Sequence, residues 1–245
     1  MKSLSEHERK LLDRLLPAYC DHCAREPGSL LVRYVGHYSL GVTERTRPRT
    51  PTKHFLVMRS VYFPLTTDIH RQYDLKGSSH GRRVLSRGKE GLPSTVLKDL
   101  DFLDAGFGGM RLVEGQREAL MAVMERDVAF LTAARVMDYS LLCGMGQRWR
   151  RVGLRALIGV SCGAISRIFR RRATGPMPLS LRSFDEEGEL YLGIIDFLQP
   201  YGFMKWLETT MKKAMLYETA TISCVNPDFY ASRFLSFVKE EVFPV

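Results

Sequence analysis

Three short runs constrain this chain more than anything else in it: Tyr73-Asp74-Leu75-Lys76-Gly77-Ser78, Met137-Asp138-Tyr139-Ser140-Leu141-Leu142 and Gly193-Ile194-Ile195-Asp196. Each begins or ends an apolar, strand-like stretch and sets a charged residue at its end. In an α/β or α+β enzyme, such strand ends commonly form the rim of a cleft where phosphates and metals bind. Two aspartates far apart in sequence and a lysine are what phosphoryl transfer from a nucleotide requires. One carboxylate handles the acceptor hydroxyl or a metal, the other holds Mg²⁺, and the lysine offsets phosphate charge. Taken one at a time, each acid reads as an ordinary surface or cap residue. Their joint occurrence reverses that reading.

At 245 residues and 45% hydrophobic content, the chain can bury a sizeable core as one large domain or two small lobes. No run approaches the roughly 18 apolar residues of a membrane span. Met1-Lys2-Ser3 leads straight into a charged segment, so no signal peptide is expected. Cys20, Cys23, Cys143, Cys162 and Cys224 are odd in number and scattered, which fits a reducing, cytoplasmic compartment. Cys20-Asp21-His22-Cys23 has no second Cys/His pair at finger spacing, so it reads as small residues near a helix end.

Net charge is +9, and its location matters more than its size. Between Tyr139 and Phe184 there is no acid, while Arg148, Arg150, Arg151, Arg155, Arg167, Arg170, Arg171, Arg172 and Arg182 all fall inside. Trp149, Leu154, Leu157, Ile165 and Phe169 interleave with them. A basic patch with apolar side chains suits an anionic surface, of lipid headgroups or nucleic acid. No recognised nucleic-acid motif accompanies it, so a nucleic-acid partner is not expected.

The spacing predicts a helix over 3–19, capped by Ser3 with Glu6, and adjacent antiparallel strands over 29–42 and 54–64. A further strand runs into Asp74. Residues 115–135 carry Leu120, Val123, Met124, Val128 and Leu131 on one helical stripe. Tyr139–Cys143 and Leu190–Phe197 read as a strand pair, and a last helix starts at Asn226-Pro227-Asp228. Gly106-Phe107-Gly108-Gly109 reads as a loop rather than a nucleotide cradle.

YDLKGS, MDYSLL and GIIDFL, followed by an LE-containing helix, resemble the phosphatidylinositol phosphate kinases, which phosphorylate inositol lipid headgroups on membranes. The resemblance runs from about Lys2 to the region of Phe237. The protein-kinase V-A-I-K strand and H-R-D loop are absent, and Asp196-Phe197-Leu198 lacks the glycine of D-F-G. The resemblance implies an α+β, two-lobed lipid-kinase fold around an antiparallel sheet, with residues 1–72 a partial, incomplete N-terminal lobe. Residues 73–245 would form the C-terminal lobe, bearing the basic insert 145–184. Strands and a glycine-rich phosphate loop that the family has before its I-K-T/S lysine have no counterpart in these residues. Met1-Lys2-Ser3 matches that lysine, and a residue so near a terminus frays unless paired.

By the same resemblance, Asp138 is the catalytic aspartate that orients or deprotonates the inositol hydroxyl, and Asp196 binds Mg²⁺. Lys2 and Lys76 line the ATP site, and the base sits near Met58-Arg59-Ser60-Val61-Tyr62, with Ser60 where the family often has asparagine. Tyr201 to Lys213 matches the family's substrate-selecting, membrane-facing segment. Lys205-Trp206-Leu207-Glu208 stands there in place of K-K-L-E. Glu208 matches the 5-kinase branch, and Lys212, beside Lys213, matches a basic position that attracts a substrate phosphate. The implied activity is transfer of the ATP γ-phosphate to phosphatidylinositol 4-phosphate by a protein peripheral to the cytosolic face of membranes. The alternative is an impaired family member that acts as a membrane-binding scaffold. Whether it forms a homo- or heterodimer with related kinases stays open.

Overall fold

Ser5, two residues beyond the expected cap, starts the first helix. In a computed structural model, residues 1–41, 52–63, 68–86, 91–106, 108–112, 115–147, 181–182, 188–200 and 226–245 are described. The Ser5 hydroxyl accepts from Glu8 N at 3.3 Å, and the Glu8 carboxylate accepts from Ser5 N at 2.8 Å, which completes a capping box. Ser3 is unavailable for this role because strand β1 (Lys2–Leu4) pairs antiparallel with β3 (Lys53–Met58), Lys2 opposite Leu56. Helix α1 (Glu6–Arg25) then runs through Pro17, past the expected end, burying Leu11, Leu12, Leu15, Tyr19 and His22. Strand β2 (Tyr34–Leu40) pairs antiparallel with β3, giving a three-stranded sheet in the order β1-β3-β2. These two strands are the pair that their β-branched and aromatic content predicts.

A five-stranded sheet follows, and it begins at β4 (Ile69–Leu75), across the 72/73 division. Its other members are β5 (Val96–Leu97), β7 (Ser140–Gln147), β8 (Leu181–Arg182) and β9 (Gly188–Ile195), in the order β5-β4-β7-β9-β8. All of its pairings are antiparallel except β4 with β5. Two short strands, β6 (Val136–Met137) and β10 (Gln199–Pro200), pair separately. The architecture is therefore α+β with antiparallel sheets predominating.

Helices supply the core behind the large sheet. Short α2 (Asp99–Asp104) leads toward α3 (Gln116–Ala133), which buries Leu120, Met124, Val128 and Leu131 of the predicted stripe, with Val123 partly buried at its edge. Helix α4 (Pro227–Phe237) has Asn226 as its cap and Pro227 in its first turn, and a π-helical turn (Val238–Val242) continues it. Tyr230, Phe234 and Val238 are fully buried, and Tyr139 meets Tyr230 and Phe234 edge-on at ring separations of 4.7 and 5.2 Å.

Among the described residues, two connections join the sheets. Leu31 bridges Ile194 in β9: Ile194 N donates to Leu30 O at 2.7 Å, and Val32 N donates to Ile194 O at 2.9 Å. Beside them the Tyr19 hydroxyl donates to Val32 O at 2.8 Å and accepts from Tyr34 N at 3.1 Å. The Tyr19, Tyr34 and Phe197 rings cluster around this point, Tyr34 stacking on Phe197 at 5.2 Å. Tyr19→Phe leaves both backbone groups short of a partner. It is expected to cost about 1–3 kcal/mol in urea unfolding, with little change in the ring packing. The second connection, 59–63, passes over the sheet. A Cβ on Gly193 would lie 2.6 Å from Val61 Cγ2, so this signature glycine is required by close approach.

Candidate functional site

Strand register explains why the three signatures meet. In β4, Leu75 lies opposite Leu141, so Lys76 emerges where β7 begins. In β9, Ile195 lies opposite Ser140, so Asp196 leaves at the same end. Beyond that point the ladder breaks and closes again only where Gln199 pairs with Met137. Asp138 and Asp196 sit on the two sides of this break, and both adopt left-handed backbone, with φ 64° and 61°. Left-handed geometry is uncommon for residues other than glycine and best tolerated by short polar side chains such as aspartate. It turns both carboxylates out of the sheet's alternation, an off-pattern conformation of the kind that clusters at functional sites.

Each aspartate has a lysine partner. Lys76 Nζ lies 2.8 Å from Asp138 Oδ1, and Lys2 Nζ lies 3.0 Å from Asp196 Oδ1. The side chains of Asp138 and Asp196 keep 35% and 49% of their surface exposed, which leaves carboxylate oxygens open to a ligand. Lys76 is only 14% exposed, so its ammonium is directed rather than free to wander. Lys2 is anchored by the β1 ladder and by Glu8, whose Oε1 lies 3.1 Å from its Nζ. The fraying expected so near a terminus is thus countered by pairing. Burial pulls the Lys2 ammonium pKa down, but hydrogen bonding and charge from Asp196 and Glu8 outweigh it and hold the pKa above the ordinary lysine value. Burial raises the Glu8 pKa, while hydrogen bonds from Ser5 and Lys2 more than reverse this, leaving it below the usual carboxylate value.

The loop that presents Lys76 is tied down from below. Asp99 Oδ1 accepts from the backbone N–H of Lys76, Gly77 and Ser78 at 2.9, 2.7 and 3.3 Å. Its Oδ2 lies 2.6 Å from Arg82 Nε, and Arg82 also donates to Asp74 O. Burial lowers the Arg82 pKa, but Asp99 and Asp74 reverse this and keep it above its ordinary value. Gly77 has φ 66°, and a Cβ there would lie 2.9 Å from Phe237 Cβ. The glycine of this signature thus permits both the turn and the approach of α4. From that helix the Tyr230 hydroxyl donates to Tyr139 O, next to Asp138. Burial, with the Asp138 charge adding to it, drives the Tyr230 pKa well above its ordinary value, so the donor stays protonated.

Among the described residues, no group of three or more His, Cys, Asp or Glu forms a ready-made metal cage. The exposed Asp196 carboxylate at this rim nevertheless fits Mg²⁺. This hard cation is usually held by one or two carboxylates together with waters and the phosphates of its nucleotide.

The structure therefore brings Lys2, Lys76, Asp138 and Asp196 to one rim. Ser60 and Tyr62 lie on the 59–63 connection. Ser60 Oγ accepts from Tyr62 N at 3.2 Å, and the Tyr62 hydroxyl donates to Gln72 Oε1 at 3.0 Å. The Tyr62 ring covers Gly144, four residues along β7 from Ser140 and so on the order of 13 Å from that rim. Lys205, Trp206, Glu208, Lys212 and Lys213 lie outside the described residues, as does the basic insert from Arg148 to Ser180. Sequence reading missed Glu8, Asp99 and Arg82. Glu8 carries a visible signal, its capping spacing from Ser5. Asp99 carries none, because the amides it serves lie 21 to 23 residues earlier in the chain.

Residues 1–156 and 164–241 match the family model described as Phosphatidylinositol-4-phosphate 5-Kinase. The rat phosphatidylinositol 4-phosphate 5-kinase type-1 beta is 32% identical over 273 residues, covering 99% of this chain and 48% of that protein. The human type-1 alpha protein is 31% identical over 268 residues, covering 99% and 46%. The mouse phosphatidylinositol 4-phosphate 5-kinase-like protein 1 is 33% identical over 244 residues, covering 95% and 59%. The chain spans about half the length of the curated relatives it matches.

Proposed function

The chain belongs to the phosphatidylinositol-4-phosphate 5-kinase family, and from that premise we propose that it transfers the ATP γ-phosphate to phosphatidylinositol 4-phosphate, giving the 4,5-bisphosphate. The observation that carries this reading is the meeting of Lys76–Asp138 and Lys2–Asp196 at one broken end of the β7–β9 ladder. Bound Mg-ATP supplies the electrophilic phosphoryl group and neutralises its developing charge.

The chain's own residues do the rest. Asp138 accepts the proton of the attacking inositol hydroxyl as its oxygen bonds to the γ-phosphorus and the bond to the β-phosphate oxygen breaks. Lys76 aims Asp138 through the 2.8 Å contact of its ammonium, and lies ready to offset phosphate charge. Asp196 is the metal-holding carboxylate. Lys2 exchanges its pairing with Asp196 for nucleotide phosphates, and Glu8 keeps its ammonium in place meanwhile. Ser60 and Tyr62 flank the base at the connection between the sheets.

The substrate is a membrane lipid, so the protein works peripherally on the cytosolic face. Among the described residues no helix is long and apolar enough to cross a membrane. Lys205, Lys212 and Lys213 attract anionic headgroups at about 1 kcal/mol per basic residue. Trp206 adds interfacial anchoring that salt does not screen. Glu208 biases the site toward the 4-phosphate substrate.

The deciding experiment is transfer of labelled phosphate from Mg-ATP to vesicles carrying phosphatidylinositol 4-phosphate or its 5-phosphate isomer. Labelled bisphosphate from the 4-phosphate supports the reading. Vesicle binding with no labelled product would point to a membrane-binding family member without chemistry. Glu208→Ala is expected to relax the preference between the two isomers while total transfer survives; an unchanged ratio would remove Glu208 from substrate choice.

A further inference from the structure

We propose that Asp99 is a positioning residue for phosphoryl transfer, acting through the backbone of Lys76. This rests on the reading of Lys76 and Asp138 as the pair that serves the acceptor hydroxyl. Asp99 is 1% exposed and meets that pair through the backbone N–H of Lys76. Its Oδ1 instead collects three consecutive amides, those of Lys76, Gly77 and Ser78, at 2.9, 2.7 and 3.3 Å. Three N–H donors converging on one buried carboxylate oxygen form a nest, and a nest sets the path of the backbone that builds it. Lys76 leaves this nest with its ammonium 2.8 Å from Asp138 Oδ1. The direction of its stem is therefore set by Asp99 rather than by the strand alone.

The other half of the carboxylate explains why an acid stands here. Asp99 Oδ2 lies 2.6 Å from Arg82 Nε, and the same guanidinium reaches back to Asp74 O at the end of β4. Leu100 N also donates to Arg82 O at 3.0 Å. Strand end, nest and α2 are thus closed into one ring of hydrogen bonds around Asp99. An asparagine could face its carbonyl to the nest or to Arg82, but its NH₂ would then oppose donors on the other side. Asp99→Asn keeps the volume while breaking the ring.

The readout follows the rate at which Lys76 is acetylated in competitive labelling, with exposed Lys10 as the internal control. In Asp99→Asn, Lys76 is expected to label several-fold faster while Lys10 is unchanged. In the transfer assay kcat is expected to fall on the order of 10²-fold with little change in KM for lipid, the signature of a misplaced group. Combined with Lys76→Ala, Asp99→Asn is expected to add nothing further; a purely structural role would subtract again. Equal Lys76 labelling in parent and Asp99→Asn would overturn the proposal.

Should Asp99→Asn not fold, hydrogen exchange on the parent decides instead. The Lys76, Gly77 and Ser78 amides are expected to be protected well beyond exposed loop amides, and rapid exchange at all three would overturn the nest. If Lys76→Ala itself leaves transfer intact, the functional reading fails, and the labelling result still decides whether Asp99 positions Lys76.

Discussion

Asp138→Asn and Asp196→Asn are each expected to abolish lipid phosphorylation, lowering the rate by several orders of magnitude. The two substitutions separate chemistry from fold unusually well. Both positions have φ near +60°, a region that asparagine tolerates as readily as aspartate. Neither residue is buried, so the change in charge carries no large desolvation effect. What disappears is the carboxylate: at 138 the proton acceptor and the partner of Lys76, at 196 the hard oxygen ligand and the partner of Lys2. Labelled transfer to phosphatidylinositol 4-phosphate vesicles reads the rate, and thermal unfolding verifies that both variants melt near the parent temperature. Near-normal turnover by either variant would end the assignment of that residue.

The largest expected effect on stability lies elsewhere. Asp127 in α3 is fully buried; its Oδ1 lies 2.7 Å from His22 Nε2, and its Oδ2 accepts from Leu30 N at 2.7 Å. His22 is itself buried and stacks on Phe130 at 4.6 Å. Asp127→Ala strands an imidazole nitrogen and a backbone N–H together, which is expected to cost about 3–5 kcal/mol. Because Leu30 O in turn accepts from Ile194 N, the loss extends to the end of β9 that carries Asp196. Chemical denaturation measures the stability. A loss below about 1 kcal/mol would show that water replaces the carboxylate, and that the pair does not hold α1 to α3.

Much of the candidate site was legible because its signals are local. Apolar alternation ending in a charge marked β4, β7 and β9. The register then set Lys76, Asp138 and Asp196 at one end of the sheet, as strand ends would require. The 3.6-residue stripe of α3 and the Asn226-Pro227 start of α4 were equally readable, since helix periodicity and caps involve only near neighbours. The first cap was misplaced for a related reason. Ser3 with Glu6 and Ser5 with Glu8 have the same spacing, and local sequence offers no basis for choosing between them.

That choice falls to a strand more than fifty residues later, since pairing of Lys2–Leu4 with β3 commits Ser3 to the sheet. The same holds for the contacts that aim the site. Lys2 finds Asp196 across 194 residues, His22 finds Asp127 across 105, and Asp99 gathers its three amides backwards along the chain. Sequence alone determined which residue types stand at the strand ends and which faces of the helices turn inward, because the period of a helix or strand is a property of adjacent residues. Only tertiary structure decided which carboxylate meets which cation and which backbone amides a buried acid collects. A charged or hydrogen-bonding group carries no period, and its partner is set by the folding of distant segments into contact.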